Sequence, residues 1–202
     1  MDLKYKHEYA YCIVSLIFRH IESCVSEILK TECVKSLTQE DILLIIKEFF
    51  RFDLYICDKL LFLWFGDPTR NNLFDEIEMM LFMALTQGRE KILDEKLNLI
   101  NTTGDFAEYL KILRNDNFSY EWFVDEYNQR VNDYKKYRFE TENEQYEGWL
   151  FWEFGKKISF MIGHDRQASF IVPFMFIAMN FLKKMNLAKT VIFDKNYDNE
   201  QP

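Results

Sequence analysis

A chain of 202 residues that is 49% hydrophobic, with only six Gly and three Pro, can bury a sizeable core and has too few turn formers for many short elements. Its 25 basic and 33 acidic residues leave a formal charge of -8, which disfavours docking on a nucleic-acid backbone and favours a basic partner. Apolar residues recur at three- and four-residue spacing with almost no strand-like alternation. The expectation is an all-α, single-domain helical bundle of about seven to eight helices over residues 1–193, with a polar, disordered tail at 194–202.

The first helix is expected from about Leu3 to Glu32, with Ile13, Ile17, Ile21, Val25 and Ile28 on one face. Thr38, followed by Glu40 and Asp41, reads as the N-cap of a second long helix ending near Phe65. Gly66-Asp67-Pro68-Thr69 stops it, because proline cannot continue a helix interior. A third helix covers about Arg70 to Gln87, closed by Gly88, and a shorter amphipathic one about Arg89 to Ile100. A brief helix follows over Asp105 to Arg114, and Ser119 is placed to cap a longer one from Tyr120 to about Arg138. The chain closes with two strongly apolar helices, near Trp149 to Ile162 and Arg166 to Leu187. Their low polarity places this pair centrally in the bundle, with Asp165 as the cap of the last helix and Pro173 as its kink or its true start. The apolar run Ala168 to Leu182 is short of the roughly 20 residues a membrane span needs and contains Pro173 and Asn180, so a core helix is expected.

Cys12, Cys24, Cys33 and Cys57 sit irregularly within helical patterns, which fits reduced thiols in a cytoplasmic protein better than a disulfide framework. The N-terminus runs into a helix without the flanks of a signal peptide. Catalytic and cofactor motifs are missing. His7-Glu8 opens a zinc-protease pattern, but Tyr11 stands where the second His belongs. Leu150 replaces the first glycine of a phosphate loop before Gly155-Lys156. No Glu precedes a His by three residues, as di-iron bundles require. His20 and Cys24, one turn apart, are two ligands on one helix and do not make a metal site alone. No metal, cofactor or catalytic residue is therefore expected, and the balance leans away from an enzyme.

Two features carry the functional expectation. On the second helix Lys47, Glu48, Arg51, Asp58 and Lys59 form one polar arc, which leaves Asp53 among Ile42, Ile46, Phe49, Phe52 and Ile56. A carboxylate there needs a hydrogen-bond partner, such as a Tyr, an Arg or a helix end, or lies in a pocket. Asp105 to Glu147 holds eleven acids against six bases, with Tyr109, Tyr120, Tyr127, Tyr134, Tyr137 and Tyr146 interleaved. The leading reading is a non-catalytic acidic protein that occludes a basic partner, in the manner of an immunity protein or a phage inhibitor. Its expected contact residues are Tyr137, Glu140, Glu142, Glu144, Tyr146 and Glu147, with charge steering approach and tyrosine supplying area. The alternatives are a small-molecule sensor or unusual enzyme with a pocket around Asp53, and a homo-oligomeric structural protein.

Overall fold

The structure is a computed structural model that describes residues 3–30, 37–86, 105–115, 120–140, 146–165 and 167–190. Among these it is all α: α1 Leu3–Lys30, α2 Gln39–Phe65, α3 Asp67–Thr86, α4 Asp105–Asn115, α5 Tyr120–Lys135, α6 Leu150–Met161 and α7 Ala168–Ala188. The expected helix over Arg89 to Ile100, the Ser119 cap, Cys33 and the tail at 194–202 lie outside the described residues.

The ends of α2 form where short-range chemistry puts them. The Thr38 hydroxyl accepts from the Asp41 amide at 3.2 Å, and the Asp41 carboxylate accepts from the Thr38 amide at 2.8 Å, a reciprocal capping box. At the other end Gly66 takes φ 72°, a conformation that costs glycine nothing, and its amide bonds Phe62 O at 2.9 Å. The stop is shorter than the sequence suggests. α3 begins at once, at Asp67, with Pro68 in its first turn, where a missing N–H costs nothing.

α2 threads the bundle and is buried on nearly every side from Ile45 to Leu61, where only Lys47 and Lys59 are partly open. α1, α3, α5, α6 and α7 all pack against it. Around Phe52 the rings interlock: Phe154 lies 4.0 Å away, Tyr134 5.3 Å and Phe151 5.7 Å between centroids. Each such ring contributes about 1.5–3 kcal/mol on burial.

α6 and α7 pack more closely on each other than any other helix pair, as their apolar composition predicts. The contact depends on Gly155, where an added Cβ would come within 2.5 Å of Ile171 O. In the turn before α7 the Ser159 hydroxyl donates to His164 O, the His164 amide donates to Ser159 O at 2.8 Å, and the His164 ring stacks on Phe170 at 3.9 Å. This folded turn delays the helix, so the cap position falls on Gln167, which makes no side-chain cap bond, and Asp165 stands too early to serve. α7 runs through Pro173, five residues after its start. At 21 residues α7 is also long and apolar enough, by length and composition, to cross a membrane. Here one face packs on α6, α1 and α2, while Phe176 and Leu187 stay exposed.

Gly155→Ala should lower stability by about 1–3 kcal/mol, the usual cost of overpacking, because the Ile171 carbonyl belongs to a helix backbone and cannot swing aside. Denaturant titration of both proteins measures it; an unchanged midpoint would mean that the two helices separate freely.

Candidate functional site

Burying α2 buries its charges. Glu48, Arg51 and Asp58, expected on an outward polar arc, are within the protein together with Asp53. Each is compensated from another helix. The Glu48 carboxylate accepts from the Tyr134 hydroxyl of α5 and pairs with Arg51 at 3.2 Å and with Lys157 of α6 at 2.9 Å. Arg51 also reaches Glu126 at 3.1 Å, and Lys157 reaches Asp133 at 3.5 Å, so α2, α5 and α6 are cross-linked. Asp58 is held by the guanidinium of Arg70 on α3.

Asp53 is completely buried, and its partner is a histidine rather than a Tyr, Arg or helix end. Its Oδ2 lies 2.7 Å from His20 Nδ1, across from α1, while its Oδ1 has no hydrogen-bond partner. His20 Nε2 lies 2.9 Å from Ile177 O on α7 and 3.4 Å from Cys24 Sγ. Cys24, His20 and Asp53 thus stand in the order of a thiol–imidazole–carboxylate triad.

Proton accounting argues against that chemistry. A carbonyl oxygen only accepts, so Nε2 must carry the proton it gives to Ile177 O. The other proton of the His20–Asp53 pair then sits between Nδ1 and Oδ2, and the pair is neutral whichever atom holds it. Nε2 therefore has no lone pair with which to take a proton from Cys24. Burial first, then the charges of Asp53 and Glu27, push the Cys24 thiol well above its ordinary pKa. Burial also raises Asp53, against the opposing pull of His20 and, more weakly, of Lys184. The triad order is a structural polar pair with a protonated thiol beside it.

A cavity of about 250 Å³ opens between α1 and α7 above this pair. His20 and Cys24 form part of its wall, and Asp53 does not, so the pocket expected around Asp53 stops one side chain short. Among the described residues no group of three His, Cys, Asp or Glu is arranged to hold a metal.

The acidic segment divides. Tyr127 and Tyr134 are core residues, Tyr109 and Tyr137 are half-buried against the core, and Tyr146 is 48% exposed. Glu140 and Glu147 are exposed; Glu142 and Glu144 lie outside the described residues. The two ends of the segment are clasped together. The Arg138 amide donates to Gly148 O at 2.9 Å, the Leu150 amide to Arg138 O at 2.8 Å, and the Arg138 guanidinium to Glu147 O at 2.8 Å. Trp149 Nε1 donates to Phe139 O at 3.3 Å. On this clasp the Tyr146 ring leans against Trp149 at 6.0 Å and Trp152 at 5.6 Å. Tyr127 and Tyr134, seven residues apart, form a core stripe of α5 whose period separates it from the clasp residues.

No protein-family model matches this chain, and no curated protein or solved structure does either.

Two predictions follow from the protonation states. In the folded protein Cys24 should resist alkylation by iodoacetamide near pH 8 and react only at the rate of unfolding, read by peptide mass mapping; rapid modification of native Cys24 would restore the nucleophile reading. Glu78, half-buried near Asp75 and Asp58, is pushed up to about 7 by burial foremost. Its folded pKa exceeds the ordinary value of 4.5, so the cost of ionising it grows as pH rises from about 4.5 to 7 and is complete above that. Glu78→Gln should therefore stabilise the protein at pH 8 and have little effect below pH 4.5, as urea unfolding at the two pH values would record.

Proposed function

We propose that this protein is a non-catalytic binding protein that occludes a basic partner with the acidic surface on the 138–149 clasp. The observation that supports it is Tyr146: a half-open ring leaning on two tryptophans, between exposed Glu140 and Glu147, on backbone held by Arg138. Tyrosine and tryptophan are the side chains that most often anchor protein interfaces, and a pre-ordered ring loses little rotamer entropy on binding. The surrounding carboxylates steer a positively charged partner and exclude a negatively charged one.

The reading agrees with the His20–Asp53–Cys24 arrangement, whose protons are already committed to the fold. It also agrees with the free thiols of Cys12, Cys24 and Cys57, which suit a reducing, cytoplasmic setting. Of the contact residues expected from sequence, Tyr146, Glu140 and Glu147 are the exposed ones among the described residues. Tyr137 serves as support, half-buried with Lys136 Nζ 5.1 Å from its ring centroid.

The test is affinity capture from the native host with the wild-type chain, Tyr146→Ala, and the double reversal Glu140→Lys/Glu147→Lys. A basic protein retained by wild type should bind Tyr146→Ala with about 2 kcal/mol less affinity. The double reversal should slow association and flatten its salt dependence, read by surface plasmon resonance. Equal retention by all three proteins sinks the proposed surface.

A further inference from the structure

Six of the eight residues that line the cavity between α1 and α7 carry polar side chains, spaced by apolar wall. Ser23 and Glu27 come from α1, and Asn180, Lys183 and Lys184 from α7, above the floor made by His20. Lys183 and Lys184 are adjacent cations, and neither has a carboxylate within ion-pair distance among the described residues. Lys6, Lys111, Lys156 and Lys157 are matched to acids, whereas Lys183 and Lys184 face this cavity. In a chain of net charge -8, two lysines against the single carboxylate of Glu27 leave this cavity with a positive balance.

We propose that this cavity binds a small anion, a phosphate or a short carboxylate, held by Lys183 and Lys184 with the Asn180 amide as a further donor. At about 250 Å³ the space is below the usual range for drug-sized ligands, which limits the occupant to a compact ion. Glu27 sets its position. The carboxylate stands on the α1 side, bonded by the Ser23 hydroxyl at 3.3 Å, and repels an anion toward α7. The His20 ring cannot add a free N–H, because Nε2 already serves Ile177 O and Nδ1 faces Asp53. It senses the occupant instead. Lys184 favours the ionised form of Asp53, so an anion that neutralises Lys184 moves the shared proton of the pair toward the carboxylate.

The experiment is an NMR titration of the full chain with sodium phosphate and, separately, sodium succinate, at ionic strength held constant with sodium chloride. Saturable shifts are expected at the amides of Ser23, Asn180, Lys183 and Lys184, with a change in the His20 ring nitrogens. Lys183→Ala/Lys184→Ala should weaken binding at least about tenfold, the loss expected when hydrogen bonds to a charged group are removed. Glu27→Gln should tighten it. Saturation by phosphate alone assigns a phosphate ligand, by succinate alone a carboxylate, and by both a general anion site. The proposal is overturned if neither anion saturates, or if the double lysine variant titrates like wild type. Should that variant fail to fold, unchanged affinity in Glu27→Gln overturns it as well.

Discussion

The constraint on which the rest of the structure depends is the burial of α2. A helix packed by five others has almost no solvent face between Ile45 and Leu61, yet this one carries Glu48, Arg51, Asp53 and Asp58 inside. Moving an unpaired ion out of water costs several kcal/mol, more than the burial of any one neighbouring ring returns. Four of the five packed helices therefore arrive with a matching group. α1 brings His20, α3 brings Arg70, α5 brings Tyr134 and Glu126, and α6 brings Lys157. Apolar surfaces alone tolerate a helix sliding by a turn; here such a slide would strand a charge. The polar contacts thus select one register from those the Phe and Ile packing would accept.

Much of the helical plan was legible because it depends on neighbours in sequence. The Thr38 capping box, the Gly66 stop and the apolar period of α1 are local chemistry, and the structure places them where the residues indicate. The polar core was not legible, for a reason that α2 makes plain. A helical wheel treats charge as an outward marker, whereas Glu48 and Arg51 are inward because their partners come from α5 and α6. Tyr134 is 86 residues away from Glu48, and His20 is 33 from Asp53. Nothing within a helical turn announces such a partner. Asp53 was recognisable as anomalous among Ile46, Phe49 and Phe52, but the identity of what compensates it was not. Asp165 failed as a cap for a similar reason: the Ser159–His164 bonds that shape the turn cannot be read from the cap residue.

The same dependence on distant groups decides what the site can do. From spacing alone, His20 and Cys24 resemble half of a metal or nucleophile site. The third group that matters is a backbone carbonyl, Ile177 O, which lies 157 residues from His20 and has no side-chain signature. By accepting from Nε2 it turns a possible base into a donor. The thiol beside it stays protonated because burial raises its pKa. A constellation that would suggest catalysis in a list of residue types is, in three dimensions, a brace between α1, α2 and α7.

Charge distribution explains how the two proposed surfaces, of opposite preference, can share one small fold. The acids of Asp105 to Glu147 set the long-range field, which attracts cations and repels anions before contact. At physiological salt that field fades over about 8 Å, so an ion already at the mouth of the α1–α7 cavity responds mainly to Lys183, Lys184 and Glu27. The proposed basic partner would therefore be drawn in from a distance and held at Tyr146, while the proposed anion would enter slowly and be held only by short-range donors. Selectivity at the first surface comes from approach, and at the second from fit. Because the cavity wall includes His20, an occupant there also bears on the pair that braces α1 against α2 and α7. At the clasp the Tyr146 ring rests on Trp149 and Trp152, over backbone held by Arg138, so substitution of that ring alters the surface rather than the buried pair.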